Sequence, residues 1–307
     1  MISQDYPVFE IIIVNDCSED KTAEYLKNVV RNHSNISVVN LTQRLNFFYG
    51  KKFPLSVGIK SAKYDLLLLT DADCVPSDNQ WIKSMVQKFG PSTEIVLGYG
   101  PYMRRKTLLN KLIRFDTLYT AMQYLSLALC RLPYMGVGRN LSYRKSTFYK
   151  NKGFTSHYGI ASGDDDLFVS QAADQWNTEV CIDTETRVES EPKKTWGSWL
   201  RQKRRHYGTG LSYKPKTKLV LGTLLLSRLL YYGSIITLLC TSSILNILII
   251  SLILIHYVTQ VIIYSLSAKK LGEKGLVLIF TPLYDCFFTV FTTVMGFFGS
   301  VFKPKNW

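Results

Sequence analysis

Three groups of carboxylates and one basic, aromatic-rich run are the side chains able to do chemistry in this 307-residue sequence. The first group, Asn15-Asp16-Cys17-Ser18-Glu19-Asp20-Lys21-Thr22, follows a short apolar run. Either Ser18 or Asp20 caps a following helix, or Asp16 at a strand tip accepts hydrogen bonds from a base or ribose. The second, Asp71-Ala72-Asp73, sets two carboxylates one residue apart after the apolar run Leu66 to Thr70. Their repulsion is relieved by a divalent cation or a polar ligand, and such an oxygen-rich pair suits Mg²⁺ or Mn²⁺ on a diphosphate. The plainer alternative is a pair of solvated turn aspartates. In the third, Gly163-Asp164-Asp165-Asp166-Leu167, adjacent carboxylates raise one another's pKa, and a carboxylate so raised beside a ligand acts as a general base. The same residues equally fit a solvated helix start, where acids are favoured. Finally, Trp196 to Tyr207 (WGSWLRQKRRHY) interleaves Arg201, Lys203, Arg204 and Arg205 with aromatics, a pattern that also suits an amphipathic helix on anionic headgroups.

The elements that must hold these groups follow from hydrophobic patterning. Phe9 to Val14 and Tyr64 to Thr70 are continuously apolar, as strands buried on both faces of a parallel sheet are. Between them lie a helical stretch from Lys21 to Arg31, a short strand at Ile36 to Leu41 and a helix near Pro54 to Ala62. This alternation predicts a doubly wound α/β sheet. Ligands of such sheets bind beyond the carboxyl ends of the strands, where Asn15, Asp16, Asp71 and Asp73 fall.

Composition supplies the frame. The formal net charge is +14, 47% of residues are apolar and mean hydropathy is +0.03, which excludes a disordered chain. Residues 229–268 contain no Asp, Glu, Lys or Arg, room for two bilayer spans with a turn at Thr241, Ser242, Ser243 and Asn246. A third apolar stretch, Gly275 to Phe302, is interrupted by Pro282, Asp285, Gly296 and Gly299, and either spans or dips in and returns. Lys269, Lys270 and Lys274 assign the intervening loop to the cytoplasm by the positive-inside rule, and the first 217 residues with it. Three full spans place Lys303 and Lys305 on the other side; a re-entrant third segment does not. The six cysteines are far apart and fit reduced thiols. No secretory signal, repeat, nucleophile elbow, Walker A sequence or nucleic-acid-binding motif occurs, so nucleic acid is not an expected partner.

In order, these motifs resemble the inverting family 2 glycosyltransferases of GT-A fold, the membrane-embedded class that includes cellulose, chitin and hyaluronan synthases. Residues 10–22 look like that family's strand-end DxSxDxT, Gly50-Lys51-Lys52 like its GK step, and Asp71-Ala72-Asp73 like its DxD. Gly136 to Tyr143 is similar to the segment lining the acceptor side, Gly163 to Leu167 to the ED motif, and Gln202 to Arg205 to the QxxRW motif. The resemblance implies an α/β GT-A domain with a Rossmann-like, mostly parallel sheet over residues 1–192. An amphipathic interface segment over 193–217 and two or three membrane helices over 218–307 would follow. It further implies that Asp16, Asp71, Lys51, Lys52, Gln202 and Arg205 bind the nucleotide-sugar donor. Asp73 would reach Mg²⁺ or Mn²⁺, Gly138 and Asn140 would line the acceptor side, and Asp164 or Asp165 would deprotonate the acceptor hydroxyl.

The implied activity is inverting transfer of a sugar, UDP-activated by resemblance, to a lipid-linked or polysaccharide acceptor at the cytoplasmic face of the membrane. Three departures accompany it. His206 stands where the motif has Trp, which favours single addition over polymer synthesis; Gly163 leaves the base open between Asp164 and Asp165; and the start at QDYP implies a family first strand missing upstream. Two other readings are a haloacid-dehalogenase-type phosphatase, with Asp71 as nucleophile, and a catalytically inactive membrane scaffold.

Overall fold

The computed structural model describes residues 1–43, 50–160, 162–241 and 247–301. They divide into two compact units, one of residues 1–100 with 124–191, the other of residues 101–123 with the chain from 192 onward.

In the first unit, β1 (Ile11–Asp16) and β2 (Ile36–Leu41) run parallel, with Asp16 opposite Leu41, and α1 (Thr22–Asn32) connects them. Next, α2 (Lys52–Ser61) lies on β1 so closely that a Cβ at Gly58 would sit 2.8 Å from Val14 Cγ2. There follow β3 (Leu66–Leu69), β4 (Cys74–Pro76), α3 (Trp81–Val86), β5 (Ile95–Gly98) and α4 (Leu108–Leu129), the last divided between the units after Gln123. The unit closes with β6 (Leu141–Arg144), α5 (Lys145–Lys150), α6 (Asp166–Ala172), β7 (Thr178–Cys181) and β8 (Val188–Ser190).

A four-stranded sheet has the order β3-β6-β5-β7, and β4 pairs separately with β8. Its middle is the core: Ile95, Val96 and Leu97 of β5 are wholly buried, and Val96 packs in one cluster with Trp81, Met85, Cys181 and Val188. The α/β class is as expected, and so is the mostly parallel direction of the strands in this sheet: β3, β5 and β7 run one way, and β6 lies reversed between β3 and β5. Among the described residues, β1–β2 and β5–β7 pair in parallel, and β3–β6, β5–β6 and β4–β8 pair antiparallel. A continuous apolar run reports burial on both faces, and it says nothing of the direction of the neighbouring strand.

The second unit contains α7 (Trp196–Thr209), α8 (Pro215–Thr241), α9 (Ile247–Lys270) and α10 (Thr281–Val301) together with the first turns of α4. Among the described residues, three segments, Pro215–Leu238, Ile249–Lys270 and Leu278–Phe297, are long and apolar enough to cross a bilayer. The third apolar stretch is thus long enough to span. The first span begins well before the charge-free run because Arg228 is neutralised within the unit. Its guanidinium bonds Asp285 Oδ1 at 2.6 Å and Tyr119 at 2.6 Å, and Tyr232 and Gln260 bond Asp285 Oδ2. Paired in this way, a charge is tolerated among apolar helices. Of the expected turn, Thr241 ends α8, and residues 242–246 lie outside the described residues.

Candidate active site

The site builds from strand and helix ends of the first unit. At the end of β1, Asn15 is buried and its amide bonds Asn40 across the parallel pair, while its Oδ1 accepts from Ser18 N. Asp16, the next residue, is exposed. Cys17 takes a positive φ of 53° and donates its thiol to Leu41 O, which turns the chain away from the strand. The N-cap position of α1 is Lys21, without a side-chain cap bond, but Asp20 Oδ1 accepts from Thr22 N at 3.0 Å, so of the two capping candidates Asp20 and not Ser18 bonds the helix start.

Beyond β3, Asp71 is half-buried and Asp73 exposed. Lys51 Nζ pairs with Asp71 Oδ1 at 2.5 Å. Burial opposes the Lys51 charge, yet Asp71, with help from Asp164 and Asp165, raises its pKa above the ordinary lysine value. Donor atoms of Asp71, Asp73 and Cys74 lie within 4.8 Å of one another. Two carboxylates at this spacing fit a hard divalent cation such as Mg²⁺ or Mn²⁺.

Lys52 has a different job from its neighbour. It is 1% exposed, and its ammonium donates to His157 O at 2.6 Å and Ile160 O at 2.8 Å. Burial lowers its pKa to about 8. The carbonyls it holds belong to the loop that leads into the third acidic group. His157 in the same loop contacts Gly163 O through Nε2 at 3.0 Å, and burial, then the Lys52 charge, lowers its pKa to about 4. Gly163 follows with φ of +97°, and a Cβ there would lie 2.5 Å from Leu167 Cδ1. The glycine at this motif position is a local backbone requirement.

The three aspartates then separate by partner. Asp165 occupies the N-cap of α6, its Oδ1 accepting from Asp166 N at 2.7 Å and its Oδ2 from Gly138 N at 2.7 Å. Both oxygens are thereby held by backbone amides. Asp166 is buried and its Oδ1 accepts from Leu167 N. Asp164 is half-buried, and burial, reinforced by the Asp165 charge, raises its pKa to about 7. Lys51 opposes that rise and Asp71 adds to it, so Asp164, Lys51 and Asp71 share one electrostatic field.

Residues 1–150 match Glycosyl transferase family 2. This part of the chain is a family 2 glycosyltransferase domain. The order of the acidic strand end, the GK step and the DxD in the first 150 residues already had that form. Asp164, Gln202 and Arg205 lie beyond the matched residues. A poly-β-1,6-N-acetyl-D-glucosamine synthase of Staphylococcus epidermidis is 33% identical over 114 residues, 36% of this chain and 26% of that protein. An uncharacterized glycosyltransferase of Synechocystis is 34% identical over 88 residues, 29% of this chain and 26% of its own length. The alignments thus span about a quarter of these curated relatives. Among solved structures, Staphylococcus aureus TarS 1-349 in complex with UDP-GlcNAc aligns at a TM-score of 0.44 and 18% identity, covering 69% of this chain and 61% of that one.

Within the glycosyltransferase domain, the two expected acceptor-side residues both make bracing contacts. Asn140 is fully buried, with its amide nitrogen on Tyr99 O and Thr186 O and its oxygen accepting from Trp81 Nε1. Gly138 supplies the amide that orients Asp165. Gln202 and Arg205 belong to the second unit, where Gln202 donates to Tyr102 at 3.1 Å. The adjacent Lys203 forms a buried ion pair with Asp116 of α4. Cys74, His157, Gly163 as a left-handed residue and Asp116 were not singled out from sequence for these roles. The one available signal was Gly163, a glycine directly before an acidic helix start.

Proposed function

We propose that the chain transfers a sugar from a nucleotide-sugar donor, a UDP-sugar, to a lipid-linked or polysaccharide acceptor with inversion of configuration. The observation that carries this is the shared field of Asp164, Lys51 and Asp71. A carboxylate with a pKa near 7 stands in it beside a cation-binding pair. Asp164 takes the acceptor hydroxyl proton as the oxygen attacks the anomeric carbon, and the bond to the nucleoside diphosphate breaks on the opposite face. Asp165, held by two amides, is the positioning residue beside it. The two amides on Asp165 support Asp164 as the base of the two.

Asp71 and Asp73 would hold Mg²⁺ or Mn²⁺, which when bound neutralises diphosphate charge. Lys51 shares that work from the protein side, and Asp16 at the tip of β1 contacts the nucleoside. Lys52 supports the site through the loop it holds rather than through the donor. Gln202 and Arg205 are assigned to the donor by their QxxR motif alone. The name of the staphylococcal relative supports an amino-sugar donor and a glycan acceptor. The three apolar helices and the lysines at the end of α9 support a multi-pass membrane protein with residues 1–192 as a catalytic domain facing the cytoplasm.

The test is calorimetric titration of UDP, then GDP, into detergent-purified protein with and without Mn²⁺. Mn²⁺-dependent UDP binding is expected; absence of binding by either nucleotide overturns the reading.

A further inference from the structure

Length and composition let α10 cross a bilayer, but its contacts within the second unit give it the wrong direction for a third crossing. Against α8 the partners run in opposite order: Tyr232 meets Pro282 O and Asp285 Oδ2, and Arg228, one turn earlier, meets Asp285 Oδ1. Against α9 they run in the same order. Tyr257 donates to Ile279 O, Gln260 donates to Asp285 Oδ2, and Tyr264 shares the Phe115 ring with Phe288. So α10 runs with α9 and against α8. Helices that cross in series alternate in direction, because each starts on the side where the last one ended, and a crossing α10 would run against α9.

The distances close a different path. Tyr257 lies about 20 Å before Lys270 along α9 at 1.5 Å per residue, and the segment 271–278, mostly irregular, can reach back that far. From Ile279 to Phe291 is about 18 Å of helix in the return direction. There Trp199 of α7 stacks on Phe291 and Tyr207 meets Thr292 Oγ1 at 3.1 Å. The same α7 exposes Arg201 and Arg204, charges that belong at the level of water and not at the bilayer centre. Irregular backbone at membrane depth needs protein partners, and it has them: Arg114 donates to Lys274 O, Thr281 to Leu278 O and Tyr257 to Ile279 O. Away from these contacts α10 exposes Leu283, Phe287, Val290, Val294 and Phe297, spaced by four and three as one apolar ridge.

We propose that α10 is a re-entrant helix seated in the cytoplasmic leaflet, its ridge set against the acyl chains of that leaflet, and that it returns the chain to the side of Lys269 and Lys270. The proposal rests on the reading of α8 and α9 as a membrane-crossing pair. In sequence, Lys303 and Lys305 follow α10, and the positive-inside rule favours that same side for them.

The experiment places an epitope in the full chain, either between Ser242 and Ser243 or after Trp307, and reads it with an impermeant antibody on intact and on permeabilised cells. Expected is binding at the 242–243 epitope on intact cells and at the terminal epitope only after permeabilisation. Both epitopes reached on intact cells means that α10 crosses, and overturns the proposal. Neither reached on intact cells removes the crossing pair beneath it. A second measurement needs no insertion: Phe287→Trp in proteoliposomes, with the native chain subtracted, is quenched by phosphatidylcholine brominated either near the headgroup or near the chain end. Phe287 is at the middle of the apolar segment Leu278–Phe297, so a crossing helix puts it at the bilayer centre. Stronger quenching by the headgroup-proximal bromines is expected; stronger quenching by the chain-end bromines overturns the proposal.

Discussion

Two acidic motifs of the same domain, Asp71-Ala72-Asp73 and Asp164-Asp165-Asp166, use one residue type in opposite ways. The first stands at a strand end with Asp73 exposed and Asp71 paired to a lysine whose side chain is 48% exposed. The second lies at a helix start where burial works against charge, and its members divide the available backbone amides unequally. Burial also raises the pKa of Asp165, although the amides of Gly138 and Asp166 offset part of it. On the proposed function, environment rather than residue type separates the carboxylates that would bind an ion from the one that would move a proton.

The sharpest way to break this comparison is Asp164→Asn. It should lower turnover roughly 10²–10⁴-fold while leaving UDP affinity in calorimetry unchanged. Equal loss of affinity would merge the two motifs into one binding site. The native enzyme should gain rate as pH rises through about 7, because the base must be ionised. For stability the sign is opposite. A carboxyl raised from 3.8 to about 7 contributes stability that is full below 3.8 and is lost as pH rises through about 7, measurable by thermal unfolding in detergent.

The lysines carry the contrast to smaller effects. Lys52→Met strands one buried and one part-buried carbonyl and should cost about 1–3 kcal/mol, seen as a lower Tm. Lys51→Met removes a half-exposed ion pair and should change stability by no more than about 1 kcal/mol, yet weaken UDP binding. A larger stability loss at Lys51 than at Lys52 would reverse the roles given to them.

Much of this was legible beforehand. The strand expected at Ile36 to Leu41 is β2 with the same bounds, and the helix expected from Lys21 to Arg31 is α1 shifted by one residue. Short-range patterning suffices where an element's own residues decide it. The direction of β6 was not legible, because it returns antiparallel between β3 and β5 from far along the chain. Nor was the place of α4. Its Asp116 pairs with Lys203, its Arg114 with Glu273, and its Phe115 stacks on Tyr264 and Phe288, all residues remote in sequence.

By itself, the sequence determined which motifs exist, in what order, and that apolar helices follow them, since each depends on residue type and near spacing. Only the tertiary structure decided that Asp164 and Asp165 meet different partners, which lysine faces carboxylates and which holds a loop, and that a thiol stands beside the carboxylates of Asp71 and Asp73. Those properties arise from burial and from partners far away in the chain, and neither is written in local pattern.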